Sequence, residues 1–287
     1  MNFRTEISIP PCGFLISHDC KIAMQGSCFA ENVAVKFSNA GFSADINPFG
    51  IAYNPLSLSK NLNRLLDNKP FVEEELFKDK DIYHSFSHHS RFSGRDKEEV
   101  LSKINSRMSA SSAYLKSANL LILTFGTSYV YRLLENDDVV SNCHKLPARL
   151  FTYKRLTINE TVNEWSSLII RLKEFNTSLN IIFTVSPIRH WKDGAHENQL
   201  SKSILLLAVD ELLHIHNNCC YFPSYEILLD DLRDYRFYAE DMFHPSSQAI
   251  DYIWEKFSEV WFDKETINKA AQYEKIHKSQ NHIPIIK

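Results

Sequence analysis

Four side chains in two short segments at opposite ends of the chain are of the types that perform acyl transfer. Gly26-Ser27-Cys28-Phe29-Ala30 holds a hydroxyl and a thiol, and Asp241-Met242-Phe243-His244-Pro245-Ser246 places a carboxylate three residues before an imidazole. A thiol or hydroxyl attacks an acyl carbon once a base removes its proton, and an imidazole oriented by a carboxylate is such a base near neutral pH. His244 is the candidate general base and then acid, and Asp241 is its ionised orienting partner. Ser27 and Cys28 are both candidate nucleophiles.

The predicted elements around these residues suit that task. Residues 21–24 form a short apolar run, and Ala30, Val33, Ala34 and Phe37 follow at helical spacing. The stretch between them is then a strand-to-helix turn, where unpartnered N–H groups and the helix dipole favour developing negative charge. The histidine segment ends in Pro245 and leads into an amphipathic pattern of Ile250, Ile253, Trp254, Phe257 and Trp261. Further strands are predicted at 119–124, 180–185 and 219–222. Between them run helical patterns through Val100, Ile104 and Met108, through Val162, Trp165, Ile169 and Leu172, and over 204–213. This alternation implies a parallel sheet covered by helices on both faces, with ligands bound beyond the carboxyl ends of the strands.

Bulk properties narrow the function classes. A chain of 287 residues with a formal charge of −3 offers no basic surface for nucleic acid or an anionic membrane. No apolar run reaches the ~20 residues that span a bilayer, and no apolar leader opens the sequence, so a cytoplasmic protein is expected. The six cysteines are then expected as thiols, and the lack of paired CxxC motifs argues against zinc. No cofactor is expected, and the oligomeric state is open. The pattern predicts one domain over 1–262, an inserted loop or lid at 67–98, and a charged tail at 263–287. The insertion carries His84, His88, His89, Arg91 and Arg95, and its histidines lack the carboxylates a metal site would need. The tail ends in Ile283-Pro284-Ile285-Ile286, a segment able to dock on the body or on a neighbour.

Beyond the two segments, several blocks occur in a recognisable order. They are Asn47-Pro48-Phe49-Gly50-Ile51-Ala52-Tyr53-Asn54-Pro55, Phe125-Gly126-Thr127-Ser128, Asn142-Cys143-His144-Lys145, Ser186-Pro187-Ile188-Arg189-His190 and Tyr221-Phe222-Pro223-Ser224-Tyr225-Glu226. With residues 26–30 they make the chain resemble the GSCFA domain family, grouped with the SGNH/GDSL hydrolase superfamily, over roughly residues 5–260. The resemblance implies a three-layer α/β/α sandwich around a central parallel sheet of about five strands. It also implies acyl chemistry on a small-molecule or carbohydrate ester.

Laid over the superfamily's Gly-Asp-Ser motif without gaps, the sequence puts Cys28 in the serine position. A thiol at a helix N-terminus beside histidine is expected to have a lowered pKa, which also favours Cys28 over Ser27. Cys28 would then be a nucleophile, and in the shifted register a buried packing residue. The resemblance makes Gly50 an oxyanion glycine and leaves Ser128 where an asparagine is expected. Asn54, and after it Asn142, are candidates to fill that gap. Arg189 and His190 are candidate contacts for an anionic or sugar substrate, or else members of a surface ion pair; His144 and Lys145 are equally open. Esterase or thioesterase activity is the leading expectation. An O-acyltransferase drawing on a thioester donor, and a non-catalytic binding protein prompted by Ser128, are the alternatives.

Overall fold

A computed structural model of the protein describes residues 4–280; the predicted Ile283 to Ile286 docking segment lies outside them. In chain order the strands and helices are β1 (Ile22–Gly26), α1 (Cys28–Asn39), β2 (Ala44–Ile46), α2 (Pro55–Asp67), β3 (Leu76–Asp79), β4 (Ile82–Ser85), α3 (Lys97–Lys116) and β5 (Leu120–Phe125). They continue as β6 (Tyr129–Leu133), β7 (Val139–Val140), β8 (Phe151–Arg155), α4 (Ile158–Phe175), β9 (Asn180–Val185), α5 (Gly194–Ile215) and β10 (Cys219–Phe222). A short α6 (Ser224–Glu226), α7 (Ser247–Trp261) and α8 (Lys264–Gln280) complete the series.

A five-stranded, wholly parallel sheet in the order β10-β9-β5-β1-β2 forms the centre. Its interior strands β5 and β9 are buried along nearly their whole length, which is why they read as unbroken apolar runs rather than alternating ones. The alternation appears instead in which face each residue serves. Leu121, Leu123, Phe125, Ile181, Phe183 and Val185 pack with Leu58, Ile104, Trp165 and Leu205 from α2, α3, α4 and α5. Ile22, Met24, Leu120, Ile122 and Ile182 pack with Phe29, Phe37, Ile253, Phe257 and Trp261 from α1 and α7 on the opposite face. The strand period of two thereby feeds two separate cores. The expected α/β architecture, with helices on both faces of the sheet, is present.

Local chemistry sets the helix starts. Asn54 caps α2 by accepting the Ser57 N–H, with Pro55 at the first helical position, and Thr157 and Glu160 close a capping box on α4. The segment 67–98 contains the β3–β4 hairpin and two 3₁₀ turns. Its Arg91 pairs with Glu31 on α1 and donates to the Asn47 carbonyl, so this segment braces the end of β2. Residues 129–155 form a second, antiparallel sheet in the order β7-β6-β8. In the tail, α8 lies against the body: Tyr273 stacks on His18, and Trp254 donates to Glu274.

The expectation of six thiols is corrected for one pair. Cys12 and Cys220 are joined as a disulfide with Cα atoms 6.1 Å apart, while Cys20, Cys28, Cys143 and Cys219 are free. The partners lie 208 positions apart and meet only because the N-terminal segment returns to β10, which is beyond what spacing can reveal. No helix among the described residues is long and apolar enough to cross a membrane.

Candidate active site

Beyond the carboxyl end of β1 the chain turns through Ser27 into α1, and Cys28 is the first helical residue. Gly26 makes the turn possible: its φ is +155°, and a Cβ there would lie 2.6 Å from the Thr124 side chain on β5. Its N–H donates to Asn47 Oδ1 at 2.9 Å, tying the turn to the end of β2. Ser27 is buried at 1% exposure, and its hydroxyl donates to Ser186 Oγ at 3.2 Å. Cys28 is half-buried and faces the cleft, with its sulfur 3.5 Å from His244 Nε2. The geometry brings Cys28 to the imidazole and turns Ser27 away from it.

His244 is held from several sides. Its Nδ1 is 2.5 Å from Asp241 Oδ2, while Asp241 Oδ1 accepts the N–H groups of Phe243 and His244 at 2.9 Å each. Met242 takes the left-handed conformation, φ +61°, that lets this four-residue turn close. Arg189 fastens the turn to the loop after β9: its guanidinium donates to the Met242 carbonyl, and its N–H donates to the Phe243 carbonyl at 3.3 Å. That guanidinium lies over the rings of Tyr238 and Trp191, at 4.6 and 5.1 Å.

Charge is distributed so that the thiol rests neutral. Burial raises the Cys28 pKa above its ordinary value, against the N–H groups of Cys28 and Phe29 that pull it down; Glu31 adds to the rise and Lys202 opposes it. The expected lowering of this pKa is therefore corrected, because loss of water outweighs the helix N-terminus. Asp241 is held down to about 2, chiefly by the backbone N–H groups of His244 and Phe243, and stays ionised. His190 is held down to about 3 by burial and by the Lys202 and His244 charges. Tyr53 is pushed up to about 12, first by burial, and remains a hydroxyl donor on the cleft wall.

These groups open into a cleft of about 700 Å³. Its floor holds Cys28 and His244, and its far wall carries Tyr129, Tyr131, Phe151 and Tyr153 from the antiparallel sheet. The family pattern of GSCFA proteins matches residues 21–257, a span that includes Cys28, Asp241 and His244. The chain belongs to the GSCFA family. No curated protein matches it in sequence. Among solved structures it is similar to a Clostridium thermocellum family 3 carbohydrate esterase, with TM-score 0.41 and 11% identity over 90% of this chain and 98% of that one. It is also similar to a family 3 carbohydrate esterase from Talaromyces cellulolyticus, with TM-score 0.39 and 6% identity over 88% of this chain and 99% of that one. Likeness at this level is one of general outline and carries no argument about chemistry.

The remaining predicted residues of this GSCFA protein are dispersed. Asn54, Asn142, His144, Lys145, Arg189 and His190 line the cleft, whereas Gly50 and Ser128 do not. The Gly50 N–H donates to the Asn47 carbonyl, and a Cβ there would lie 2.2 Å from His89 Cβ, so this glycine serves a close turn. Ser128 is wholly buried and directs its hydroxyl to Ser201 at 3.1 Å. Asn54 spends its side chain on Ser57, and Asn142 bonds Ser90 and the His144 N–H. His84 stacks against Phe77, and His88 is enclosed by Phe49, Phe71 and Phe92. Among the described residues, no three His, Cys, Asp or Glu side chains form a group that could hold a metal.

Two features escaped the sequence reading. The alternation of Tyr129, Tyr131 and Leu133, repeated in Phe151, Tyr153 and Arg155, was a period-two signal for the cleft-wall strands. Lys202, in the middle of α5 and 1% exposed, donates to the carbonyls of Gly126 and Ser186, just beyond β5 and β9. No local pattern marks it out among the surface lysines.

Proposed function

We propose that this GSCFA protein is an acyl-transfer enzyme of SGNH type, an esterase or thioesterase that works through an acyl-Cys28 intermediate. One observation carries the reading: Cys28 Sγ meets His244 Nε2 on the floor of an open cleft, and His244 Nδ1 meets Asp241 Oδ2 behind it. Since the thiol is neutral at rest, the cycle starts with a proton transfer rather than with a preformed ion pair.

In the first half, Nε2 takes the thiol proton as Sγ bonds to the acyl carbon. The tetrahedral oxyanion forms at the N-terminus of α1, where the Cys28 and Phe29 N–H groups have no intrahelical acceptor. The bond to the leaving group then breaks, and that group departs with the proton from Nε2. In the second half, water gives a proton to Nε2 and its oxygen bonds to the acyl carbon; the C–S bond breaks, and the sulfur recovers the proton. Asp241 stays ionised throughout and keeps the Nδ1 proton facing itself. A hydroxyl acceptor in place of water gives the acyltransferase reading, favoured by a cleft far larger than a short acyl group requires.

Intact-mass analysis after incubation with p-nitrophenyl acetate, and separately with acetyl-coenzyme A, tests the proposal. An acetyl adduct that maps to Cys28 and disappears in His244→Ala supports it. A protein that stays unmodified and releases no p-nitrophenol across several acyl lengths defeats it in favour of a binding protein.

A further inference from the structure

The cleft differs in charge from the chain that forms it. The protein carries −3 overall, yet the fixed charges lining the cleft are Lys145, Arg189 and Lys192 against one carboxylate, Asp193. A second groove, beside α2, sets four cations among five carboxylates and has no such bias. Acidic groups near the cleft are engaged elsewhere: Glu197 pairs with Arg155, and Glu31 with Arg91. None of the three lining cations is paired with a carboxylate among the described residues. A low-dielectric cleft lined by one sign of charge concentrates ligands of the other sign.

The three cations are not equivalent. The Arg189 guanidinium donates to the Met242 carbonyl and lies among aromatic rings, so it holds the histidine turn. Lys145 is exposed on the loop after β7, with no contact that fixes its ammonium. Lys192 is held. It belongs to the 3₁₀ turn Trp191–Asp193, its ammonium donates to the Tyr131 hydroxyl, and it lies 4.2 Å from the centre of the Tyr153 ring. Both neighbours of Lys192 are anchored as well: the Trp191 ring lies 5.9 Å from that of Phe243, and Asp193 accepts the Tyr153 hydroxyl at 2.6 Å. The aromatic contacts fix the ammonium without neutralising it. Less side-chain entropy remains to be lost when an anion binds there than at a free surface lysine.

We propose that the far wall of the cleft is an anion subsite, in which Lys192 receives a phosphate or carboxylate group that the substrate carries away from its scissile ester bond. The catalytic floor and the far wall are separate parts of one cleft of about 700 Å³, so the acyl carbon can lie at Cys28 while the charged group lies at Lys192. The subsite rests on the acyl-transfer reading for its place in a reaction, and it names the substrate class as an anionic ester or thioester. Neutral acyl esters then react without the help of this wall.

The test compares kcat/KM within two matched pairs. In mono-4-nitrophenyl glutarate against 4-nitrophenyl valerate the charge is on the acyl part; in S-acetyl-4′-phosphopantetheine against S-acetylpantetheine it is on the leaving group. The anionic member of one pair should be preferred at low salt, and that pair identifies the part of the ester that reaches Lys192. Lys192→Gln keeps a donor without the charge and should reduce the preference about fivefold, the upper end for an exposed ion pair. Lys116→Gln makes the same change of net charge at the end of α3, next to the amino end of β5, and should retain it. Equal rates within both pairs overturn the inference, as does a preference that survives in Lys192→Gln or falls equally in Lys116→Gln. Should Lys192→Gln not fold, salt decides: about 0.5 M, with a Debye length of about 4 Å, should level the wild-type preference, and a salt-independent preference overturns the inference. If no ester turns over, the acyl-transfer reading falls by itself and binding decides. Trp191 is the exposed tryptophan, at 44%, while Trp165, Trp254 and Trp261 are buried, so its fluorescence can follow titration with inorganic phosphate and with glutarate. Saturable binding of one of them that weakens in Lys192→Gln and not in Lys116→Gln supports the subsite; absent or unaltered binding overturns it.

Discussion

Replacing Ser27 and Cys28 by alanine, one at a time, separates two neighbouring atoms that would otherwise compete for the same role. Ser27 is 1% exposed, and its hydroxyl makes one hydrogen bond, to Ser186 Oγ at 3.2 Å. Its side chain makes no capping bond to α1, so no helix cap is lost with it. Ser186 Oγ keeps the Ile188 N–H at 3.3 Å, which leaves Ser27→Ala costing about 1 kcal/mol, the net worth of one ordinary hydrogen bond. For a chain of this size that is a fall of about 2–4 °C in Tm, with acylation within about threefold of wild type. Cys28→Ala removes the atom 3.5 Å from Nε2 and should reduce the rate by about 10⁴ or more, leaving only what oriented binding supplies. The assay is the burst of p-nitrophenolate from p-nitrophenyl acetate, read beside intact mass and thermal melting. A Cys28→Ala protein with a full burst and adduct, alongside a Ser27→Ala protein lacking both, would refute the assignment and the register behind it.

Asp241→Asn keeps a carbonyl for the two turn N–H groups but presents an amide donor to His244 Nδ1, forcing the proton onto Nε2. The rate should fall about 10²–10⁴-fold with little change in Tm, and a near-normal rate would show that the carboxylate does not set the tautomer. His88 is held down to about 3 by burial, below its unfolded value of about 6.5. Between those values the unfolded chain holds the extra proton, so stability falls as pH falls, by up to about 1.4 kcal/mol per pH unit for this group. Urea titrations across that window should show a shallower slope in His88→Gln, and an unaltered slope would exclude His88 as a source. Gly50→Ala would force a Cβ to 2.2 Å from His89 Cβ at φ +87°, at a cost of about 1–3 kcal/mol or more, readable as a lowered midpoint in chemical unfolding.

Much of this protein was legible in its residues because the signals are local. Apolar runs of strand length ending in turn residues marked β1, β5, β9 and β10, and helical spacing marked α1, α4 and α7. A carboxylate three residues before an imidazole can meet it within one turn, so the Asp241 and His244 pair needed no knowledge of the fold. The antiparallel cleft wall went unread, because the alternation of 129–133 and 151–155 competes with similar polar-apolar mixtures in loops.

What the tertiary structure decided depends on separations that sequence does not encode. Ser27 and Cys28 are adjacent, and only the packing of β9 beside β5 puts Ser186 where it draws the serine inward while the thiol faces His244. The direction of the Cys28 pKa shift was read wrongly from motif chemistry, because a helix terminus and a histidine are visible in sequence whereas the water excluded around a sulfur is not. The same holds for Lys202, one lysine of a long helix until two strand ends close over it, and for Cys12 and Cys220. Sequence records what each side chain is able to do; burial and long-range approach, which arise only when distant segments pack, determine which of those capacities is used.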